Sequence, residues 1–264
     1  MEHMDLVETW AKWTRGTKPP YLLDGDDVNG KGVVTQNWRE AICKDDYCAP
    51  DDKCVHLGLL PHPFCGDVLN AKVYILMLNP GLNPSDYFGE DQVPSFREAV
   101  LRNLRQQFAE DDYRFMFLDP QYSWHSGFDW WHGKLKGVIA ALAGKWHCTF
   151  AEARKRLARS IASIELFPYH SVNSGAISRW LKTGHPLRSA KLAGGFVREY
   201  VMPRVKLGEA IIVVTRKAKH WDVKPSSGKV IVYSGGKARG AHLTPGSDGG
   251  KAIIGHLGNH TFDV

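Results

Sequence analysis

Four short runs of apolar residues, separated by more polar segments, dominate the hydrophobic pattern of the chain. The runs are AKVYILML (71–78), IASIELF (161–167), EAIIVVT (209–215) and KVIVYS (229–234). Nearly unbroken apolar runs of this length are typical of strands buried on both faces of a parallel sheet. The pattern therefore predicts four central strands.

Segments between and after these runs have the periodicity of helices. They cover residues 95–110, 134–144, 149–160, 186–205 and 248–257. Ser95 with Glu98, and Thr149 with Glu152, have the spacing of capping boxes. Strands that alternate with helices favour an α/β fold with a mostly parallel sheet. Ligands of such folds bind beyond the carboxyl ends of the strands, so we expect the site there.

The remaining segments suggest the domain organisation. Residues 1–65 are polar, rich in Gly and Asp, and poorly periodic. We interpret them as an N-terminal elaboration packed on the core, with residues 66–264 as the main domain. The aromatic-rich stretch DPQYSWHSGFDWWHG (119–133) is interpreted as a loop.

Charge and hydropathy narrow the class of partner. The formal net charge is +6, with basic stretches at 154–159, 216–221 and 234–242, which favours a polyanionic partner. The basic stretch at 154–159 is equally compatible with a solvated helix face. The sequence has neither an apolar run long enough to span a membrane nor a leader-like start. We therefore expect a cytoplasmic protein that does not bind membranes, with reduced thiols.

Four cysteines occur early in the chain, at Cys43, Cys48, Cys54 and Cys65, and no two form a CxxC pair. Zinc sites usually show closer pairing. A zinc ion held by three of the four is the alternative to ordinary core or surface thiols. The sequence predicts no cofactor.

Two motifs resemble those of one enzyme family. LNPGL (78–82), at the end of the first strand, resembles the first active-site motif of the uracil-DNA glycosylase superfamily, in its Asn-Pro-Gly form. That form is found in the mismatch-specific and single-strand-selective uracil glycosylases. HLTPGS (242–247) is similar to the second motif, usually His-Pro-Ser-Pro, with Leu243 and Thr244 in place of Pro and Ser. The resemblance covers residues 59–257. It implies a monomer that acts on DNA, and a three-layer sandwich in which helices flank a central, mostly parallel four-stranded sheet.

The resemblance also implies residue roles. Asn79 would orient the attacking water by its amide, and His242 would donate a hydrogen bond to the departing base. Gly81 would let the backbone approach the ligand, and an aromatic ring at Tyr87 or Phe88 would stack on the flipped base. The alternatives are a turn-forming Asn79, a surface His242, and core packing for one of the two aromatic residues.

Glu165 departs from the family pattern and bears on the substrate. In SIELFPYHS (163–171), Pro168 is present, but Glu165 stands where the family has an Asn that reads uracil. An ionised carboxylate only accepts hydrogen bonds, which suits the N4 amino group of cytosine and not O4 of uracil. We therefore predict a modified cytosine, with hypoxanthine as a lesser option. The alternative is a structural Glu165 paired with a cation such as Arg216.

Unmodified cytosine must be spared, so a second group has to read the modification. Trp124, Trp130 and Trp131 would stack on a bulky substituent such as a sugar, and Asp129, His125 and His132 would bind its hydroxyls. This suggests defence against phage with hypermodified cytosines. The alternative is that these tryptophans are core and lid residues.

DNA contacts are expected from the loops after the third and fourth strands. Lys217, Lys219, Lys237 and Arg239 would contact phosphates, and Leu243 would wedge into the duplex. No lysine is placed as a nucleophile, so the sequence predicts a monofunctional DNA glycosylase. The alternatives are a uracil or mismatch repair glycosylase, a non-catalytic DNA-binding protein of the same fold, and a hydrolase or transferase of free nucleotides. A phosphate-loop NTPase is disfavoured, because no GxxxxGK[ST] motif occurs.

Overall fold

The computed structural model describes residues 5–14, 18–29, 33–34, 53–182, 187–234 and 243–259. Its strands are β1 (Val33–Val34), β2 (Val55–His56), β3 (Phe64–Cys65), β4 (Val73–Met77), β5 (Ile161–Glu165), β6 (Ile211–Val214) and β7 (Val230–Val232). Its α-helices are Asp5–Trp13, Pro84–Gln92, Pro94–Arg105, Ser126–Trp146, Phe150–Ser160, Ser178–Lys182, Arg188–Phe196, Met202–Leu207, Ala218–Trp221 and Asp248–Leu257. None of the helices in these ranges is long and apolar enough to cross a bilayer.

The main sheet has five strands in the order β3-β5-β4-β6-β7 and is mostly parallel. β6 lies parallel to both β4 and β7, with Val73 opposite Ile211 and Ile212 opposite Val230. Every residue of β4, β5 and β6 is buried, which explains their continuous apolar runs. The α/β class is confirmed. The predicted count of four strands is wrong because β3 is only two residues long and has no run of its own.

The chain divides into two compact units. The first comprises residues 1–64, 78–107 and 165–196. In it, helix Pro94–Arg105 packs against helices Asp5–Trp13 and Pro84–Gln92. Its buried side chains include Trp10, Leu60, Phe96, Leu104 and Tyr169.

The second unit comprises residues 65–77, 108–164 and 197–264, and it holds most of the main sheet. Helix Ser126–Trp146 packs against helices Phe150–Ser160 and Asp248–Leu257, and the latter packs on β6 and β7. Its core includes Ile75, Leu135, Ile139, Leu157 and Ile212.

Two predicted helix starts have different outcomes. The capping box of Thr149 and Glu152 is present. The predicted cap at Ser95 is wrong: the helix begins at Pro94, after Val93, and its N-cap makes no side-chain hydrogen bond. Proline suits the first helical position, because its missing N–H would have had no partner there.

Two further segments differ from expectation. The predicted loop 119–133 is a 3₁₀ turn, Pro120–Tyr122, followed by the start of helix Ser126–Trp146. The predicted helix 186–205 is helix Arg188–Phe196, a π-helical turn Val197–Val201 and helix Met202–Leu207. Pro203 lies in the first turn of the last helix, where it is tolerated. The predicted helix 248–257 is confirmed.

Candidate functional site

The loop that carries the Asn-Pro-Gly motif is fastened to the segment after β5. We call residues 78–83 the motif loop. The Phe167 N–H donates to the Leu78 carbonyl at 2.8 Å. His170 Nδ1 donates to the Gly81 carbonyl at 2.8 Å. Both anchors come from the SIELFPYHS stretch, so the two motif segments of the first unit form one local structure.

The side-chain amide of Asn79 has a defined orientation. Its Nδ2 lies 2.9 Å from Ser171 Oγ and also donates to the Pro80 carbonyl, at 2.6 Å. Ser171 is 1% exposed, and its hydroxyl donates to the Asn173 carbonyl at 3.0 Å. The Ser171 oxygen and the Pro80 carbonyl therefore both act as acceptors, and only the amide nitrogen can face them. Oδ1 is thereby directed away from both partners, as a fixed hydrogen-bond acceptor on a half-buried side chain.

Helix Pro84–Gln92 starts directly after the motif loop. Asn83 caps it by accepting from the Ser85 N–H at 3.2 Å, and Asp86 accepts from the Asn83 N–H at 2.6 Å. Pro84 occupies the first helical position. The Asn83 side chain also accepts from the Asp86 N–H, which completes a capping box with the bond from the Asn83 N–H to Asp86. Gly81 is exposed, with no atom within 4 Å of the place a side chain would take.

The two aromatic residues of this helix have different environments. Tyr87 is 1% exposed, and its hydroxyl lies 3.0 Å from His56 Nδ1. Phe88 is 51% exposed. A ring that stacks on a base must be accessible, so Phe88 is the candidate of the two and Tyr87 is a core residue.

Glu165 is the last residue of β5 and is 8% exposed. Its N–H donates to the Pro63 carbonyl at 2.8 Å. The Pro168 carbonyl, three residues on, accepts from the His62 N–H at 2.8 Å. The backbone on both sides of the proposed base-reading position is thus fixed by the same upstream segment.

The three tryptophans of the aromatic segment separate into two groups. Trp124 and Trp130 are each 40% exposed, whereas Trp131 is 6% exposed and packs edge-to-face on Phe115 at 4.8 Å. Lys134 lies over the Trp130 ring, with Nζ 5.4 Å from its centroid. We call Trp124, Trp130 and Lys134 the aromatic surface. Two of the predicted stacking residues can meet a ligand, and Trp131 belongs to the core.

The histidines of this segment serve the fold. His125 is 1% exposed and caps helix Ser126–Trp146 by accepting from the Gly127 N–H at 2.9 Å. His132 stacks on Phe128 at 5.3 Å. Burial, followed by the charges of Arg154 and Lys136, lowers the pKa of His132. The predicted hydroxyl-binding role is therefore wrong for the buried His125, whose Nδ1 is committed to the cap. Asp129 remains exposed.

The second unit has several exposed cations, and one of them, Arg216, lies near this surface. Burial lowers the pKa of Lys134, and the nearby positive charge of Arg216 lowers it further. Arg216, Lys217 and Lys219 are all exposed. Lys134 and Arg216 were not among the predicted DNA-contact residues. The spacing of Trp130 and Lys134, four positions apart on a helix, could have indicated that the two side chains lie together.

The second motif is only partly described. His242, Lys237 and Arg239 lie outside the described residues. Leu243 is 1% exposed, and a methyl group added to Gly249 would come within 3.1 Å of its Cδ2. Leu243 therefore packs against the start of helix Asp248–Leu257. The predicted wedge role is wrong for this conformation, because a wedge must project from the surface.

The alternative of a zinc site at the early cysteines has no support among the described residues. Cys43 and Cys48 lie outside the described residues, Cys54 is half-buried, and Cys65 is buried. Within the described ranges, the group with metal-ligand geometry is His62, Glu90 and His170, which contains no cysteine. These three residues are far apart in the sequence, so no local spacing motif indicated the group.

No family model, curated protein or solved structure matches this chain.

Proposed function

We propose that the chain is a monofunctional DNA glycosylase. It would flip a modified or unusual base out of DNA and hydrolyse the bond to its sugar, with a modified cytosine as the favoured base. The observation that carries the proposal is the orientation of Asn79. Its amide nitrogen is taken by two acceptors, which leaves Oδ1 to accept a hydrogen bond from a water.

The reaction requires orientation more than strong base catalysis. The C1′–N bond breaks with its electron pair leaving on the base, and the sugar becomes an oxocarbenium-like cation. A water oxygen bonds to C1′ and releases a proton, which gives the free base and an abasic site. A cation of this kind is strongly electrophilic, so a positioned water suffices, and an amide suits that role. His242 is assigned the hydrogen bond to the departing base.

Glu165 supports cytosine as the parent base. A buried carboxylate offers acceptors only, and the cytosine N4 amino group is a donor. The exposed Trp124 and Trp130 are suited to stacking on a substituent of the base or on a neighbouring base. Phe88, exposed beside the motif loop, is proposed as the ring that stacks on the flipped base.

DNA is the proposed partner. Arg216, Lys217 and Lys219 are exposed cations, and Lys237 and Arg239 add charge in the sequence after β7. Together they are proposed to contact phosphates. We further propose a three-layer arrangement, a monomer, a cytoplasmic location and catalysis without a cofactor in the chemical step. Defence against phage with hypermodified cytosines is the proposed setting.

Base release from oligonucleotides tests the proposal. Duplex and single-stranded substrates would carry uracil, hypoxanthine, cytosine or a glycosylated hydroxymethylcytosine, and released bases would be detected as alkali-labile sites. The proposal predicts cleavage only at the modified cytosine and only after alkali. Release of uracil alone would favour a repair glycosylase and contradict the role of Glu165. DNA binding without any release would contradict the enzyme and favour the non-catalytic DNA-binding protein.

A further inference from the structure

A buried group of two histidines and one glutamate in the first unit has the composition of a metal site. His62, Glu90 and His170 are 8%, 6% and 2% exposed. One ligand atom from each lies within 4.8 Å of those of the other two. Two imidazoles with one carboxylate are a common ligand set for zinc and for non-haem iron. Calcium and magnesium prefer oxygen ligands.

The hydrogen bonds of His170 match those of a metal ligand. Its Nδ1 lies 2.8 Å from the Gly81 carbonyl, so Nδ1 carries the proton in that bond. Metal-bound histidines typically donate their second N–H to a carboxylate or a backbone carbonyl. Nε2 lies 3.2 Å from the Leu60 carbonyl. With Nδ1 donating to Gly81, Nε2 is the ring nitrogen that would face a metal ion.

The Glu90 carboxylate is held in place by hydrogen bonds and an ion pair. Both of its oxygens accept from the Leu60 N–H, at 3.1 Å and 2.9 Å. Its ion-pair partner is Arg97, with Nη1 3.5 Å from Oε2. A buried carboxylate is costly unless a cation compensates it, and a metal ion would provide that charge.

A cavity of about 400 Å³ borders Glu90. Its lining includes Tyr21, Tyr87, Glu90, Asp91 and Arg97. A metal site needs an entry path and space for any water ligand, and this cavity reaches one of the three ligand residues. Tyr87, another residue of the lining, has its hydroxyl 3.0 Å from His56 Nδ1.

We propose that His62, Glu90 and His170 bind one divalent transition-metal ion, with zinc as the first candidate and a water from the cavity as the fourth ligand. Through His170 and its bond to Gly81, the ion fixes the middle of the motif loop. The site is independent of the proposed reaction: a chain that binds zinc but releases no base would keep this proposal and remove the glycosylase.

Metal content and thermal stability of the full chain test the proposal. Protein purified without chelator is analysed by elemental mass spectrometry, then stripped and titrated with zinc chloride. We expect about one zinc or iron per chain in the purified protein. The stripped protein should bind about one equivalent of zinc and show a higher Tm. Absence of both metals, together with no zinc uptake and no Tm shift, would overturn the proposal.

Variants locate the site. Glu90→Gln keeps an acceptor for the Leu60 N–H and removes the anionic ligand, and His62→Gln removes an imidazole. Both should retain less than about a tenth of the zinc. Glu98→Gln and His220→Gln alter exposed residues and should keep the full amount. Equal zinc in all four would contradict the assignment. If Glu90→Gln does not fold, the titration of stripped wild type decides the question.

Discussion

The motif loop and the aromatic surface present their functional groups in opposite ways. In the motif loop, the Asn79 nitrogen has two acceptors and the Gly81 carbonyl has a donor. On the aromatic surface, Trp124 and Trp130 are each 40% exposed, with a lysine over one ring. The motif loop fixes the positions of single atoms by hydrogen bonds, whereas the aromatic surface exposes the faces of two rings.

Under the proposed function, the difference implies a division of roles between catalysis and binding. Chemistry at a sugar carbon depends on placing a water to within a fraction of an ångström, which requires polar contacts of the kind found in the loop. Stacking tolerates small displacements, because every base has a π-face. Substitutions in the loop should therefore change rates, and substitutions on the surface should change affinity. The predictions below test this division.

The largest effect is expected at the residue that borders the surface and belongs to the core. Trp131→Ala should reduce the free energy of unfolding by about 3–5 kcal/mol, because it opens a cavity beside Phe115. Trp130→Ala is the matched control and should cost less than about 1 kcal/mol. Urea unfolding of both measures this. Equal losses of unfolding free energy in the two variants would contradict the assignment of Trp131 to the core and Trp130 to the surface.

Substitutions on the aromatic surface should change the affinity for DNA. Trp124→Ala and Trp130→Ala should each weaken binding to a modified oligonucleotide by about 1–3 kcal/mol, since each removes a stacking ring. Fluorescence anisotropy at fixed salt measures the Kd, and single-turnover rates at saturating protein should stay near wild type. A lowered rate with unchanged Kd would place these tryptophans in the chemistry.

The amide orientation should depend on Ser171. Ser171→Ala removes one acceptor for Asn79 Nδ2 and should lower the single-turnover rate about tenfold, which is about 1.4 kcal/mol, with Kd unchanged. Ser123→Ala, at an exposed serine, is the control and should have no effect on the rate. A Ser171→Ala enzyme with the wild-type rate would show that the Pro80 carbonyl alone holds the amide.

The smallest effect is expected at the end of the loop. Asn83→Ala removes the cap of helix Pro84–Gln92 and should lower the free energy of unfolding by about 1 kcal/mol. The rate should remain within about twofold of wild type, because the cap does not contact Asn79 Nδ2. A large loss of rate would show that the helix start, and not Ser171, positions the amide.

Much of the fold follows from the hydrophobic pattern. The runs that became β4, β5 and β6 are apolar because every residue of those strands is buried. The run that became β7 belongs to a strand that is only partly buried. The start of helix Ser126–Trp146 could not be predicted from the hydrophobic pattern. Its first turns are rich in Trp, His and Gly, residues of middling or low helix propensity, and tertiary packing of Phe128 and Trp131 decided the outcome.

The candidate site was predictable only in part. Asn79 and Glu165 stand at strand ends, where sequence points to ligand-binding positions. One of the two partners that orient Asn79, Ser171, lies 92 positions away in the sequence, a contact that no local pattern encodes. The neighbours Tyr87 and Phe88 are alike in sequence, and only burial distinguishes them. His62, Glu90 and His170 meet because the fold brings three separate segments together.

The most direct test of the account compares Asn79→Ala with wild type in single-turnover release of a modified cytosine. The account predicts a rate at least about a hundredfold lower for Asn79→Ala, with oligonucleotide affinity and Tm close to wild type. A rate within threefold of wild type in a folded, DNA-binding Asn79→Ala protein would contradict the claim that Asn79 positions the water.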